Sequence, residues 1–574
     1  MSIDISFKIG GEAGQGLQTI GYILAKSLAR GGLYVFTNQD NESRIRGGHN
    51  FYQIRISDNK VENLTEEIHV IIALDEKTII EHKDELVRNG VIIFDGEKIS
   101  VKKYDENLLN VPFERLAKEK SGSTKMANSV AIGAAISLVG YDHSFLESVL
   151  KDEFGSKGAE ISDKNIQASR AGFNFVSENG IGEFPYRVKK IGDSQDFIFL
   201  NGNEAVASAA LLSGCKFVSA YPMSPSTSIQ QFFASKMKDY GVVFEQAEDE
   251  ISAINMIIGA SFAGARSMTA TSGGGFSLMV EGLSLAGMTE TPIVIVICER
   301  PGPATGFPTR TEQGELEFAI YAGHGEFPRA VFAPGNVEQA FYLTSKAFNL
   351  AEKYQIPVII LSDQYLADSY FTTERFDISS IKVERGEFFT ESQVKKLGEY
   401  KRHLITDSGI SPRLFPGQKL GLVVTDSDEH TEDGHITELA DVKINNVNKR
   451  FRKLELLKKN IGTPFVYGSK DADTLLIGWG STYGALKEAT KILNDQGSNV
   501  KMLHLSEIWP FPVEAVRNEL KIPDKLISVE SNSTGQMAHL IRAETGIEIN
   551  KKILRFDGRP LTPQYILREF RKGR

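Results

Sequence analysis

Pro292-Ile293-Val294-Ile295-Val296-Ile297-Cys298 runs directly into Glu299-Arg300-Pro301-Gly302-Pro303-Ala304-Thr305-Gly306-Phe307-Pro308-Thr309-Arg310-Thr311-Glu312-Gln313. The first part is apolar and β-branched with no polar alternation, as expected of a parallel strand buried on both faces. Arg266–Thr271 and Pro357–Ser362 read the same way, and the Ala- and Gly-rich stretch Glu248–Ala265 reads as a helix. Strands alternating with helices predict an α/β fold with a doubly wound, mainly parallel sheet. The second part breaks regular structure with three prolines and two glycines. A loop of that kind directly after a core strand points to a site more than to a spacer.

Working outward, Asn203–Leu212 is a predicted helix and Lys216–Ala220 a strand that ends in Tyr221-Pro222-Met223-Ser224-Pro225-Ser226-Thr227. Two prolines there forbid regular structure. Towards the N-terminus, Ile5–Ile9 reads as a strand, Gly10–Gly16 as a turn and Leu17–Ala29 as a helix, with further strands at Leu33–Thr37, His69–Ala73 and Gly90–Phe94 and a small-residue helix at Ser129–Leu138. The polar stretch Asp163–Asp193 reads as a linker. Towards the C-terminus, residues 373–465 are charge-rich, with a strand expected at Lys419–Val424 and a helix at Asn448–Asn460. A third α/β unit follows, with strands at Thr474–Trp479, Val500–Leu505 and Lys525–Glu530 and a helix at Tyr483–Asp495. The expected division is 1–190, 191–372, a connecting segment 373–465, and 466–574.

The 574 residues are enough for three or four domains, and 41% hydrophobic with 24% charged residues excludes disorder as the main state. The apolar run Ser129–Gly140 is too short for a membrane span. Asp4 and Lys8 interrupt the N-terminus, so no signal peptide is expected. A net charge of −9 argues against a general nucleic-acid binder. Cys215 and Cys298 are the only cysteines; two thiols hold neither a four-cysteine zinc site nor an iron–sulfur cluster, and a cytoplasmic location fits.

Several loops carry alternative readings. Gly11-x-x-Gly14-x-Gly16 could present backbone N–H groups and a helix dipole to an anion, or be only a tight turn. Arg44-Ile45-Arg46-Gly47-Gly48-His49-Asn50 could receive a carboxylate or phosphate, or be a solvated loop. Glu250, beside Glu245, Glu248 and Asp249, is by composition an ordinary first-turn acid. Thr271-Ser272-Gly273-Gly274-Gly275 lets backbone approach a ligand at a strand's end. His430-Thr431-Glu432-Asp433-Gly434-His435 reads as a solvated turn in preference to a metal site.

Together these loops resemble the 2-oxoacid:ferredoxin oxidoreductases, specifically the α subunit with a fused γ domain. Gly10–Gly16 and Arg44–Asn50 match the γ domain. Tyr221–Thr227 matches the family's Tyr-Pro-Ile-Thr-Pro-Ser-Ser signature, with Met223-Ser224 replacing Ile-Thr. Glu248–Gly275 and Arg300–Gln313 match the thiamine-pyrimidine domain. Glu530-Ser531-Asn532-Ser533-Thr534-Gly535-Gln536 and Arg555-Phe556-Asp557-Gly558-Arg559-Pro560 match the transketolase C-terminal-like domain.

The resemblance implies CoA-dependent oxidative decarboxylation of a 2-oxoacid on thiamine diphosphate, with electrons passed to ferredoxin. It gives Glu250 the aminopyrimidine of the cofactor and places Thr271, Ser272 and Gly273 beside it. Ser224 and Arg300, or else Arg310, take the substrate's reacting end, with Tyr221, Pro222 and Thr227 around it. Arg46 takes a distal carboxylate, which makes 2-oxoglutarate the first substrate expected; pyruvate, a branched-chain oxoacid, indolepyruvate, or a non-catalytic protein on the same fold are the alternatives. Gly14, Gly16 and Arg44 are the CoA candidates. No Gly-Asp-Gly motif for the diphosphate and its metal occurs in the sequence. The resemblance therefore assigns Mg²⁺, the diphosphate end and a 4Fe-4S cluster to a partner β subunit, in a dimer of αβ heterodimers. No metal site, nucleic acid or membrane is expected for this chain.

Overall fold

The computed structural model describes residues 3–43, 47–100, 107–179, 184–188, 197–397, 399–419 and 421–572. They form two compact units. One comprises the chain up to Asn201 with Asp368–Arg375 and Thr562–Tyr565; the other comprises Gly202–Ala367, Phe376–Leu561 and the chain from Ile566.

The first unit holds an eight-stranded sheet in the order Asn107–Asn110, Leu86–Phe94, Ile68–Ala73, Asp4–Ala13, Gly47–Ser57, Tyr34–Asp40, Tyr370–Glu374, Phe197–Asn201. The strands from Asp4–Ala13 to Asn107–Asn110 pair in parallel, and the remainder of the sheet is antiparallel. Phe7, Ile9, Ile54, Val70 and Ile72 on the strands meet Ile20, Leu24 and Leu28 of the Leu17–Arg30 helix in one apolar core. The stretch read as a linker is instead largely helix, Ala159–Asn179. Gly133 and Gly172 explain its docking: a Cβ on either would lie about 2 Å from a carbonyl oxygen of the other helix (1.9 Å from Ser169 O, 2.0 Å from Val130 O). Small residues let the two backbones touch.

The start expected for the second α/β unit also differs. Phe197–Asn201 pairs with Tyr370–Glu374, and both complete the first sheet. The tie to Tyr34–Asp40 runs through the Phe36–Phe371 ring contact at 4.7 Å and the Asn38 Nδ2 donor to Ser369 Oγ at 2.9 Å. Gly47–Asn50, expected in a basic loop, instead begin the Gly47–Ser57 strand.

The second unit contains two sheets. The larger runs Glu507–Trp509, Ala330–Phe332, Pro357–Asp363, Ile293–Glu299, Arg266–Thr271, Cys215–Ala220, Val243–Gln246, parallel throughout except for the Glu507–Trp509 edge. The smaller runs Phe465–Gly468, Val500–Leu505, Thr474–Trp479, Lys525–Glu530, Lys551–Leu554 and is parallel apart from Phe465–Gly468. Ile293, Ile295 and Ile297 share a core with Leu475, Ile477 and Leu503, so the two sheets bury their apolar faces in common.

Residues 376–464 form little regular structure beyond the Glu391–Leu397 and Ala440–Lys458 helices; Lys419 and residues 421–424, the described part of the expected Lys419–Val424 strand, are in no strand. The segment is anchored by charge. Glu290, at φ +51° just past the Gly273–Met288 helix, is buried and accepts from Lys449 Nζ at 2.5 Å, from Lys453 Nζ, and lies 3.2 Å from His403 Nδ1. Arg402 donates to the carbonyls of Thr289 and Glu290 at 3.1 and 2.7 Å. Two ammoniums and an imidazole hold the Glu290 carboxyl well below the usual range despite its burial. His430, expected in a solvated turn, is buried with its ring 3.8 Å from that of His403.

Candidate active site

Parallel strands deliver their C-terminal loops to one edge of a sheet, where open α/β folds bind ligands. In the larger sheet of the second unit, Ala220, Thr271, Glu299 and Asp363 are the last or next-to-last residues of adjacent strands, so the loops carrying Ser224, Ser272 and Arg300 arise together.

The Tyr221–Thr227 loop makes one backbone turn bond, Ser226 N to Met223 O at 2.9 Å, and is otherwise held by side chains. Gln230 Nε2 donates to Tyr221 O at 2.8 Å, Asn203 Nδ2 to Pro225 O at 2.9 Å, and Ser226 Oγ to Met223 O at 2.8 Å. Tyr221, Pro222 and Ser224 are exposed, and Thr227 opens the Thr227–Tyr240 helix. Arg300, half-buried, donates from Nη1 to Ser224 O at 2.8 Å. Burial lowers its pKa, against a smaller opposing pull from Glu315. One of its five donors is thus spent on the loop. Arg310 goes elsewhere: a Cβ on Gly558 would sit 3.2 Å from its own Cβ, and burial followed by the neighbouring Arg559 pushes its pKa down to about 10. Of the two candidate arginines, the structure brings Arg300, not Arg310, against Ser224.

Asp249 caps the Glu250–Phe262 helix, accepting from Ser252 N at 2.7 Å. This places Glu250 at the first helical position, buried, with Oε1 lacking any hydrogen-bond partner. A Cβ on Gly275 would lie 2.0 Å from Thr271 Oγ1 and 2.7 Å from Glu250 Oε1. Glycine is required because three groups converge on one point. Thr271 and Ser272 are fully buried, and Ser272 Oγ lies 2.6 Å from Met223 Sδ, which ties this wall to the Ser224 loop. Gly273 is buried against Glu315, whose Oε1 lies 2.4 Å from where its Cβ would be. An orphaned carboxyl oxygen facing a glycine cradle, a hydroxyl wall and a positioned arginine fits a flat heterocycle with hydrogen-bonding nitrogens.

Behind this wall stand three buried acids not singled out from the sequence. Burial raises Glu299 well above the usual range, Glu315 to about 7 and Asp363 to about 6. Glu299 Oε1 accepts from Glu315 N at 2.7 Å, and Ser481 Oγ donates to Asp363. Glu299 and Asp363 end strands and Glu315 precedes the Leu316–Tyr321 helix, but nothing in the sequence pattern marks any of the three as buried. The Pro- and Gly-rich loop is ordered by Gln313, which receives Ser531 N on Oε1 at 3.2 Å and donates from N to Ser531 O at 2.7 Å and from Nε2 to Trp479 O at 3.0 Å. The Glu530–Gln536 stretch is used structurally: Glu530 accepts from Met537 N and Ala538 N at 2.9 and 3.2 Å, capping the Gln536–Thr545 helix.

In the first unit, Gly14 and Gly16 are left-handed at φ +98° and +77°, directly before the Leu17–Arg30 helix. Gln15 occupies part of the turn, accepting Glu12 N on Oε1 at 2.8 Å. Arg44 and Arg46 lie outside the described residues. Among the described residues no helix is long and apolar enough to cross a membrane.

Family profiles match three consecutive regions: pyruvate ferredoxin/flavodoxin oxidoreductase over residues 6–175, pyruvate flavodoxin/ferredoxin oxidoreductase, thiamine diphosphate-binding, over 208–449, and pyruvate:ferredoxin oxidoreductase core domain II over 472–566. A 2-oxoacid:ferredoxin oxidoreductase subunit alpha from Sulfolobus sp. is 35% identical, covering 97% of this chain and 95% of that one. A 2-oxoglutarate synthase subunit KorA from Archaeoglobus fulgidus is 36% identical over 58% of this chain and 88% of its own. Among solved structures, the 2-oxoglutarate:ferredoxin oxidoreductase from Magnetococcus marinus, with 2-oxoglutarate, coenzyme A and succinyl-CoA bound, superposes with a TM-score of 0.93 at 33% identity, covering all of both chains. With the thiamine-binding region falling on the loops of Glu250, Thr271 and Arg300, the chain belongs to the 2-oxoacid:ferredoxin oxidoreductases, as an alpha subunit.

Proposed function

We propose that this alpha subunit takes part in the CoA-dependent oxidative decarboxylation of 2-oxoglutarate, with ferredoxin as electron acceptor. The observation that carries the reading is the buried, unpartnered Glu250 Oε1 facing Gly275, one wall away from Ser224 and Arg300. Thiamine diphosphate, when bound, supplies a carbon nucleophile and an electron sink. Glu250 holds a hydrogen bond to the aminopyrimidine ring and sets where its proton sits. Thr271, Ser272 and Gly273 form the wall beside that ring. Arg300 pairs with the substrate's carboxylate, since the bond to Ser224 O spends one of its five donors and its half-buried position strengthens charge-assisted bonds. Ser224 donates to the reacting end, with Tyr221, Pro222 and Thr227 shaping the entrance; Arg310 is assigned a secondary role at its rim. Gly14, Gly16 and Arg44 are assigned to CoA. The division 1–190, 191–372, 373–465 and 466–574 is retained as a functional division into γ-type, pyrimidine, connecting and C-terminal parts. The relatives named for 2-oxoglutarate support the substrate.

A β subunit is proposed to hold the diphosphate, Mg²⁺ and a 4Fe-4S cluster in a cytoplasmic dimer of αβ pairs. Support comes from the Glu250–Phe262 and Gly273–Met288 helices. Both are apolar nearly all round, yet Ile251, Met256 and Leu278 are 40–50% exposed. Helices of that composition are covered in the working protein. The chain purified alone is expected to show no iron–sulfur absorption and no 2-oxoglutarate-dependent dye reduction, both appearing when the partner is co-expressed. Turnover by the lone chain would refute the two-subunit reading.

Substrate choice is tested at Arg46. Pairing a distal carboxylate is worth about 1.5–3 kcal/mol, or roughly 10–150-fold. Arg46→Leu is expected to lower kcat/KM for 2-oxoglutarate by that factor while sparing pyruvate. Equal losses on both substrates assign Arg46 to CoA, and no loss removes it from the site.

A further inference from the structure

The first unit contains a group of side chains that the reaction does not use. His49 follows Gly48 on the Gly47–Ser57 strand; Glu81 and His82 end the Glu76–His82 helix. His49 Nε2 and His82 Nε2 are 2.8 Å apart, and His49 Nε2 lies 3.7 Å from Glu81 Oε2. Both histidines are buried, at 6% exposure each, while Glu81 reaches the surface. Among the described residues this is the one group of three or more His, Cys, Asp or Glu whose ligand atoms all fall within 4.8 Å of one another.

We propose that His49, His82 and Glu81 form a binding site for a borderline divalent transition-metal ion of the Zn²⁺ type. The tautomers favour it. His82 Nδ1 is 2.8 Å from Glu85 Oε1, and Glu85 is itself paired with buried Lys8. A carboxylate on Nδ1 fixes the proton there, so His82 Nε2 presents a lone pair, the arrangement of carboxylate–histidine–metal triads. Without a metal, His49 must point an Nε2 proton at that lone pair, which leaves buried His49 Nδ1 as an acceptor with no partner. A metal between the rings makes both Nε2 atoms ligands and puts the His49 proton on Nδ1, which lacks a partner among the described residues in either state, so it is the His82 tautomer that favours the site.

The distances agree. Two ligands on a tetrahedral Zn²⁺ at ~2.0–2.1 Å lie about 3.3 Å apart. The observed 2.8 and 3.7 Å bracket this value. Closing the site needs the rings to part and the carboxylate to approach His49 by about half an ångström each, and the carboxylate to close on His82 from within 4.8 Å. Glu81 can move, because its other oxygen makes only a 3.4 Å exposed pair with Lys77. Two histidines and one glutamate leave a fourth position for water. Lys8 offsets Glu85, Lys77 and Asp75 lie nearby with opposite charges, and Glu81 offsets half of the ion's charge, leaving one positive charge at the site. The Phe51 ring, 5.1 Å from that of His82, walls off one side.

The test is metal titration of the enzyme complex, stripped with chelator and then supplied with Mg²⁺ and thiamine diphosphate so that oxygen-ligand sites are filled. Zn²⁺ binding is read by calorimetry and Co²⁺ by its visible ligand-field band. One zinc per alpha chain and a Co²⁺ band typical of four-coordinate nitrogen and oxygen ligation are expected. Both should be lost in His82→Gln. Glu81→Gln, at an exposed position that leaves folding intact, is expected to weaken Zn²⁺ binding at least tenfold, and Glu85→Gln by roughly 10–100-fold, the usual range for an outer-shell partner. The proposal is overturned if parent and Glu81→Gln proteins bind Zn²⁺ with the same stoichiometry and affinity, or if the parent binds none.

Discussion

Glu250→Gln is expected to lower kcat by two orders of magnitude or more while leaving the fold and cofactor uptake largely intact. The substitution keeps size and shape in a pocket where Gly275 allows no extra atom. It replaces an oxygen that accepts, or shares, a proton with an amide that cannot do so in the same way. Positioned acid–base groups contribute roughly 10²–10⁴-fold. Because Oε1 has no hydrogen-bond partner among the described residues, the substitution breaks no bond at that oxygen, and stability should change little. Steady-state kinetics with the partner subunit present, together with calorimetric binding of thiamine diphosphate, separate the effects. A loss below about fivefold with the cofactor bound would move the role to another residue. Weak uptake at unchanged turnover would make Glu250 a binding group only.

Glu290→Gln should be the most destabilising of the near-isosteric changes. Glu290 is 2% exposed, and both ammoniums that it pairs with are 1% exposed. Removing one partner of a buried ion pair costs about 3–5 kcal/mol because the other charges remain buried. The effect also has a pH signature. Burial already holds Lys453 down at about 7 with its partner present. Without the carboxylate, both lysines must be neutral in the folded protein, whereas unfolded lysine titrates near ~10.4. The unfolded chain then binds more protons, so stability rises with pH across this window. The deficit of the variant should therefore be larger at pH 6 than at pH 9, measured by calorimetry with hydrogen exchange of the Ala440–Lys458 helix as a local probe. Adding Lys449→Met and Lys453→Met should recover much of the loss, since an apolar replacement of a whole buried ionic group is often neutral. A pH-independent deficit would mean that packing, not charge, is what Glu290 contributes.

The core strands were legible in the sequence because burial on both faces leaves a run such as Ile293–Ile297 with no polar residue. The loop after Ile293–Glu299 was legible because Pro301 and Pro303 exclude regular structure, whereas Gly273 and Gly275, expected in a loop, open the Gly273–Met288 helix. Glu250 was legible only through resemblance: by composition it is one acid among several in a helix's first turn, and its lack of a partner is a property of three dimensions. The Ala159–Asn179 helix was missed because the residues that bury it, among them Ser162, Ala168, Ser169 and Gly172, are small and carry little apolar periodicity. The membership of Phe197–Asn201 and Tyr370–Glu374 in the first sheet was not legible at all, since no local pattern states which distant strand a short strand pairs with. His49 and His82 meet across 33 residues for the same reason.

That shared pair of strands has a consequence for how the protein is made. Tyr34–Asp40 is flanked in the finished sheet by Tyr370–Glu374, whose first residue leaves the ribosome 330 positions after Asp40. At about 5–20 residues per second, this is a wait of roughly 15–65 seconds. Throughout it, the strand's outer row of amides and carbonyls is a bare edge, the surface on which nascent chains pair with one another. Phe197–Asn201 offers no earlier cover, because its register partners all lie in the later strand. The order of synthesis thus leaves the N-terminal sheet with an open edge until Tyr370–Glu374 has been translated. Slowing translation between residues 201 and 370 should cost soluble yield more than the same delay placed after residue 375.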